Sequence, residues 1–215
     1  MQLPELKIGN LKPRFPIVQG GMSIKVSNAS LAAAVARCGG IGVIGGTGIS
    51  LDELREQIRA ARQLSEGQGI IGVNIMYAAR EFMQLVKTAI NEHIDVIFTG
   101  AGFSREIFNW CKESQTPVVS IVSSSRAAVL AEKSGAAAVV AEGCEAGGHL
   151  GTDRSIKDIL PEIKQAVKIP VIAAGGITDG YDMAEMVRLG ADGVQMATRF
   201  VLSEECSVAD EFKQV

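Results

Sequence analysis

Pro170-Val-Ile-Ala-Ala-Gly-Gly-Ile-Thr-Asp179 reads as one unit of a longer rhythm. A short, unbroken apolar run stops at two glycines and a polar turn. A helical pattern follows at residues 182–189, and the next β-branched run is Asp192-Gly-Val-Gln195. An unbroken apolar run suits a parallel strand covered on both faces, whereas a half-exposed strand alternates. Parallel neighbours need a crossover, and such crossovers are right-handed. Six more runs of this kind lie upstream, at residues 16–19, 41–44, 70–74, 95–98, 117–122 and 137–141. Helical patterns at 28–37, 50–62, 104–113, 124–134 and 155–167 lie between them. Ser50, with Glu53 three residues on, carries a capping-box signature, and Gly39-Gly40 stops the first helix. Eight such beats predict an α/β fold, a (β/α)8 TIM barrel over residues 1–202, in preference to an open doubly wound sheet.

The pattern has one defect. About 250 residues is typical of this barrel, and the chain has 215. Residues 203–215 barely suffice for one helix, where a closing helix over strand eight is needed. The expectation is a barrel truncated after strand eight, with 203–215 as the start of a missing C-terminal extension or lid. A barrel left open there would expose apolar surface. That predicts a homo-oligomer, or a non-catalytic or split subunit whose partner supplies the lid.

Composition narrows the function classes. Hydrophobic residues make up 47% and charged residues 21%, which supports a sizeable core and excludes a disordered chain. Lys plus Arg is 21 against 24 Asp plus Glu, a net charge of -3, which argues against a nucleic-acid binder with a basic face. No uncharged apolar stretch of about 18 residues occurs, so no membrane span is expected. The opening MQLPELKIGN carries Glu5 and lacks the apolar centre of a secretory signal. Cys38, Cys111, Cys144 and Cys206 form no CxxC pair and read as reduced thiols of a cytoplasmic protein.

In a TIM barrel the active site sits at the C-terminal ends of the strands. The residues after each run are glycine-rich or small and polar: Gln19-Gly-Gly-Met22, Gly45-Gly-Thr-Gly48, Asn74-Ile-Met76, Thr99-Gly-Ala-Gly102, Ser123-Ser-Ser125, Glu142-Gly-Cys-Glu-Ala-Gly-Gly-His149, Gly175-Gly-Ile-Thr-Asp179 and Gln195-Met-Ala-Thr198. Glycine lets backbone amides approach a flat ring or a phosphate. The ends of strands seven and eight often build a phosphate site. Gly175 and Gly176 offer unhindered N–H groups there, and Gln195, Met196, Ala197 and Thr198 add amides and a hydroxyl. The alternative is ordinary tight turns.

His149, flanked by glycines after strand six, is the candidate catalytic residue, able to take or give a proton near neutral pH. The alternative is a loop histidine bonded to backbone. His93 precedes strand four, on the opposite end, and reads as structural. Cys144 near His149 reads as incidental rather than as a nucleophile. Two distant histidines make no metal cluster.

These stretches resemble the nitronate monooxygenase (2-nitropropane dioxygenase) family and the related FMN-dependent enoyl-ACP reductases. The matching segments are Pro16-Ile-Val-Gln-Gly-Gly-Met22, Gly39-Gly-Ile-Gly-Val-Ile-Gly-Gly46, Gly72-Val-Asn-Ile75, Thr99-Gly-Ala-Gly102, Ala141-Glu-Gly-Cys-Glu-Ala-Gly-Gly-His149, Pro170-Val-Ile-Ala-Ala-Gly-Gly-Ile177 and Gln195-Met-Ala-Thr-Arg-Phe200. The resemblance implies a TIM barrel holding FMN non-covalently. By it, Gly20, Gly21 and Met22 lie near the isoalloxazine ring and Asn74 faces it. Glu142 stands at the ribityl chain or ring edge, where many relatives have Gln, and Gly147 lines the same side. Gly175, Gly176, Gln195, Met196, Ala197 and Thr198 hold the phosphate. Ala197 stands where relatives often have Gly.

His149 then serves either of two reactions. It acts as base or orients the anion in oxidation of alkyl nitronates by oxygen. In NADH- or NADPH-dependent reduction it polarises or protonates an enoyl thioester. The continuation Leu150-Gly-Thr-Asp-Arg154 lacks the lysine associated with the reductases and tilts the expectation toward nitronate oxidation.

Overall fold

The computed structural model describes residues 3–22, 25–100, 102, 104–148 and 151–214. Eight parallel strands close into a barrel: β1 Ile17–Gln19, β2 Ile41–Gly45, β3 Ile70–Asn74, β4 Val96–Thr99, β5 Val118–Val122, β6 Ala138–Glu142, β7 Val171–Ala174 and β8 Gly193–Met196. Helices alternate with them: α1 Ala29–Cys38, α2 Leu51–Leu64, α3 Phe82–Asn91, α4 Arg105–Glu113, α5 Ser125–Ser134, α6 Ile156–Ala166 and α7 Gly180–Arg188. Two single-turn helices follow β8, α8 Thr198–Val201 and α9 Asp210–Lys213. Among the described residues no helix is long and apolar enough to cross a membrane.

Helix starts follow the expected chemistry. Asn28, Ser50, Ser124, Ser155 and Asp179 cap α1, α2, α5, α6 and α7 through side-chain oxygens. The capping box at Ser50 is half made. Its hydroxyl accepts from the Glu53 N–H at 3.1 Å, while the Glu53 carboxylate turns to Lys25 at 3.6 Å. Gly39 ends α1 in the left-handed region at φ 96°.

Alternation along the strands divides the apolar residues into two layers. Val18, Ile41, Val43, Val96, Phe98, Val119, Ala138, Val140, Ile172 and Ala174 fill the barrel interior, with Leu6 and Ile8 packed among them. Leu6 lies beside Gly193 at the start of β8, so the N-terminal segment stoppers the lower end. The outward strand residues meet the helices in a second, larger cluster. Gly42 marks the tightest approach. A Cβ there would sit 1.9 Å from the Ala32 carbonyl oxygen of α1.

The (β/α)8 barrel expected from the sequence is present and closed. The sheet closes by strand pairing, with Ile17, Val18 and Gln19 of β1 in register with Val194, Gln195 and Met196 of β8. No long eighth helix is needed for this. After β8, Val201 and Cys206 pack on Leu31 and Val35 of α1, with Phe200 and Val208 beside them. Val194 is fully buried.

The other side of β1 is thinner, since β1 meets β2 through the single pair Val18 and Ile41. The side chain of Gln19 extends that ladder. Its Oε1 accepts from the Val43 N–H at 3.0 Å, and its Nε2 donates to Ser27 Oγ at 2.8 Å and to the Gly20 carbonyl at 2.5 Å. Gln19 is completely buried, so without it the Val43 N–H would lose this acceptor, while Ser27 and the Gly20 carbonyl would keep only their bond to each other and the Met22 N–H.

Two outcomes follow in urea unfolding. Gln19→Ala should cost about 2–3 kcal/mol, because it removes the acceptor of the Val43 N–H at a buried position. Gly42→Ala should cost about 2–3 kcal/mol through overpacking against α1. Wild-type midpoints in either variant would contradict the assigned contact.

Candidate functional site

Counting by twos along each strand brings three polar side chains to the C-terminal end of the interior. Ala138 and Val140 face inward on β6, so Glu142 does too. Gly72 faces Val96 and Phe98 on β3, which puts Asn74 inward. Gly193 faces Leu6 on β8, which puts Gln195 inward, and a Cβ on Gly20 would lie 3.3 Å from Gln195 Cγ. Asn74, Glu142 and Gln195 are each half-buried, and small residues of neighbouring strands (Gly20, Ala174) leave room between them.

The β1 end forms a bare backbone shelf beside Asn74. Nδ2 of Asn74 donates to the Gly21 carbonyl at 3.2 Å, and its Oδ1 is buried with no partner among the described residues. A Cβ on Gly21 would come within 2.4 Å of Asn74 Cβ, so a side chain there would displace Asn74. Ser27 fixes the shelf. Its hydroxyl takes the Met22 N–H at 2.8 Å and donates to the Gly20 carbonyl at 3.2 Å. Ser27 and the outward role of Gln19 were missed in the sequence. Alternation from Val18 could have shown that Gln19 points away from the mouth.

On the opposite rim, Gly175 and Gly176 adopt φ of 116° and 66°, the left-handed region that favours glycine. The β6–α6 loop packs on them, with the Gly143 N–H donating to the Ala174 carbonyl at 3.1 Å. The N–H groups of Gly175, Gly176, Ala197 and Thr198 take no part in the turn, loop and cap hydrogen bonds of the described residues. Ala197 and Thr198 open the single turn α8. Met196 is tied to the other rim, since its carbonyl accepts from the Gly20 N–H at 2.8 Å. The structure therefore brings both glycine pairs and the β8 end to one mouth.

Charge at the mouth is sparse. Burial pushes the Glu142 carboxyl above its ordinary range. Glu145, three residues on, goes the other way. Burial opposes it, but the Ser155 hydroxyl at 2.5 Å and the Ile156 N–H at 3.0 Å hold its carboxylate below the usual range. Gly147 is exposed on the same loop, with open space around it. Cys144 is half-buried and donates its N–H to the Arg154 carbonyl at 2.9 Å. His149, the expected proton-transfer residue, lies outside the described residues. A cavity of about 610 Å³ opens beside the mouth between the β3–α3 and β4–α4 loops, lined by Tyr77, Arg80, Met83, Ser104 and Arg105. His93 lines a separate cavity of about 510 Å³ with Leu11 and Pro117, on the N-terminal side.

Comparison with known proteins gives this geometry a family. The family model described as nitronate monooxygenase matches residues 5–92 and 68–215. A (3aS,4S,5R,7aS)-5-hydroxy-7a-methyl-1-oxo-octahydro-1H-indene-4-carboxyl-CoA dehydrogenase of Rhodococcus jostii is 33% identical, over 93% of this chain and 56% of that protein. A probable nitronate monooxygenase of Staphylococcus aureus is 30% identical, over 93% of this chain and 68% of that protein. The solved structure of FabK from Thermotoga maritima superposes with a TM-score of 0.90 at 40% identity, covering 94% of this chain and 64% of that one. The chain thus spans only about half to two thirds of the length of these relatives. From the family match over nearly all its residues, and from the shared barrel, it follows that the chain belongs to the nitronate monooxygenase family.

Proposed function

We propose that the chain is the barrel of an FMN-dependent oxidoreductase that oxidises alkyl nitronates with molecular oxygen. The observation that carries the cofactor is the unpartnered, buried Oδ1 of Asn74 beside the side-chain-free shelf of Gly20 and Gly21. A buried acceptor without a donor is costly, and a ligand N–H satisfies it. The chain's groups fit FMN in kind. The amides of Gly175, Gly176, Ala197 and Thr198 suit a phosphate, since bare N–H groups on glycine turns bind anions. Gln195 and Glu142 offer polar contacts between these ends, and Gly20, Gly21 and Met22 leave a flat surface for a ring.

FMN, when bound, supplies the electron-carrying chemistry of the site. The chain's own part is binding, orientation and proton handling. Asn74, fixed by its hydrogen bond to Gly21, holds one edge of the ligand in register. Gly147 and the glycines around His149 keep the β6–α6 loop free of bulk. His149 orients the nitronate anion or takes its proton. Both family assignment and site favour this reading, in which a small anion needs no more than the mouth itself.

A second reading keeps the flavin and reduces an enoyl thioester with NADH or NADPH. It is favoured by the 40% identity to FabK and by the CoA-bearing name of the Rhodococcus relative. His149 would then supply a proton to the substrate.

Two measurements test these readings. FMN added to the purified protein should show quenched fluorescence and a shifted visible spectrum; no change at saturating FMN removes the first claim. Without oxygen, an alkyl nitronate should bleach the bound flavin, whereas bleaching by NADH or NADPH alone selects the second reading. His149→Ala should lower nitronate turnover by about 100-fold or more with FMN still bound. Unchanged turnover would remove His149 from the chemistry.

A further inference from the structure

Glu142 is an acid in an unusual place. Its register neighbour on β7 is Ala174, and Ala174 in turn neighbours Gln195 on β8. On the other side, Ser123 follows the end of β5, and its hydroxyl donates to the Gly151 carbonyl. None of these side chains is charged. The cations nearby in the fold are engaged or exposed. Arg154 is held by Glu162 and Lys157 by Glu185, while Arg126 of α5 is exposed. The nearby acids are engaged too: Glu145 with Ser155 and Ile156, Asp179 with the start of α7, Asp182 with Thr178. No hydrogen bond or ion pair reaches the Glu142 carboxyl from the described residues, and His149 carries the titratable side chain that lies outside them.

An unpaired carboxylate held partly out of water favours its neutral form. The neutral acid has an O–H donor and a C=O acceptor on one planar group, the same pattern as an amide. We propose that Glu142 works as a neutral, amide-like hydrogen-bonding group toward the flavin, and that ionising it weakens flavin binding. This rests on the FMN reading above. Ionisation removes the donor and adds negative charge beside a ligand that is itself anionic.

The sign of the pH effect is fixed by linkage. The folded state holds the Glu142 proton more tightly than the unfolded chain does. Its contribution to stability is therefore whole below the ordinary glutamate range and is lost as pH rises through the raised folded value. FMN affinity should fall in the same direction, by up to about tenfold per pH unit once the group titrates.

The test compares wild type with Glu142→Gln from about pH 4, near the ordinary glutamate value, upward through neutral pH. One arm follows thermal unfolding of the flavin-free protein; the other follows FMN fluorescence quenching. Wild type should lose stability and FMN affinity with rising pH relative to Glu142→Gln, whose profiles stay flatter. Parallel profiles in the two proteins overturn the proposal. So does a slope kept in Glu142→Gln but lost in His149→Ala, which would assign the titration to the histidine. Should Glu142→Gln fail to fold, the carboxyl-carbon NMR shift of Glu142 in wild type decides. An ordinary glutamate titration there overturns the proposal, and a raised one supports it. Failure of FMN to bind either protein at any pH overturns the flavin reading and the flavin role of Glu142 together. The unfolding arm separates that result from an error about its charge.

Discussion

A parallel sheet of eight strands has two open edges until β8 meets β1, and the mouth of this barrel exists only because that seam holds. β1 is three residues long. On the β8 side all three are in register with a partner, but on the β2 side only Val18 is. Gln19 makes up the deficit by presenting a side-chain amide where backbone would otherwise be missing. The same side chain, through Ser27 and the Gly20 carbonyl, fixes the loop that carries Gly20 and Gly21. Closure of the fold and the shape of the shelf are thus one set of hydrogen bonds.

Given that closed frame, the chemistry of the mouth follows from strand parity. The interior is apolar from Leu6 and Ile8 up to Val43, Phe98 and Val140, and then turns polar at Asn74, Glu142 and Gln195. Polar side chains there are tolerable because the end is open and a ligand can complete them. Asn74 shows the need most clearly, with one amide atom bonded to Gly21 and the other without a partner among the described residues. The glycines on both rims leave the backbone bare around this end.

Much of this was readable in the sequence, and the failures have physical causes. All eight strands were found to within a residue at each end, because strands covered on both faces leave unbroken apolar runs. Helix α3 was not. Its N-cap, Glu81, makes no side-chain cap, and past its C-cap Glu92 the chain turns through His93, a non-glycine residue at φ 54°, so neither punctuation mark was present. Closure of the seam was less legible, because it is decided by backbone pairing between β1 and β8 and not by the number of helices. Gln19 looked like a mouth residue, but it lies one position out of phase with Val18. The glycines at 20, 21, 175 and 176 were legible as bare backbone at the strand ends, because that needs only the absence of a side chain. The raised Glu142 carboxyl was not, since it depends on how far the barrel end buries that side chain.

The central claim is that the amides after β7 and β8 receive the phosphate of FMN while Asn74 and the Gly20–Gly21 shelf receive its ring. A crystal of the protein grown with FMN tests it most directly. The account predicts phosphate density at the N–H groups of Gly175, Gly176, Ala197 and Thr198, and a ring N–H within hydrogen-bond reach of Asn74 Oδ1. FMN density elsewhere on the chain, with that rim left to solvent, would contradict it.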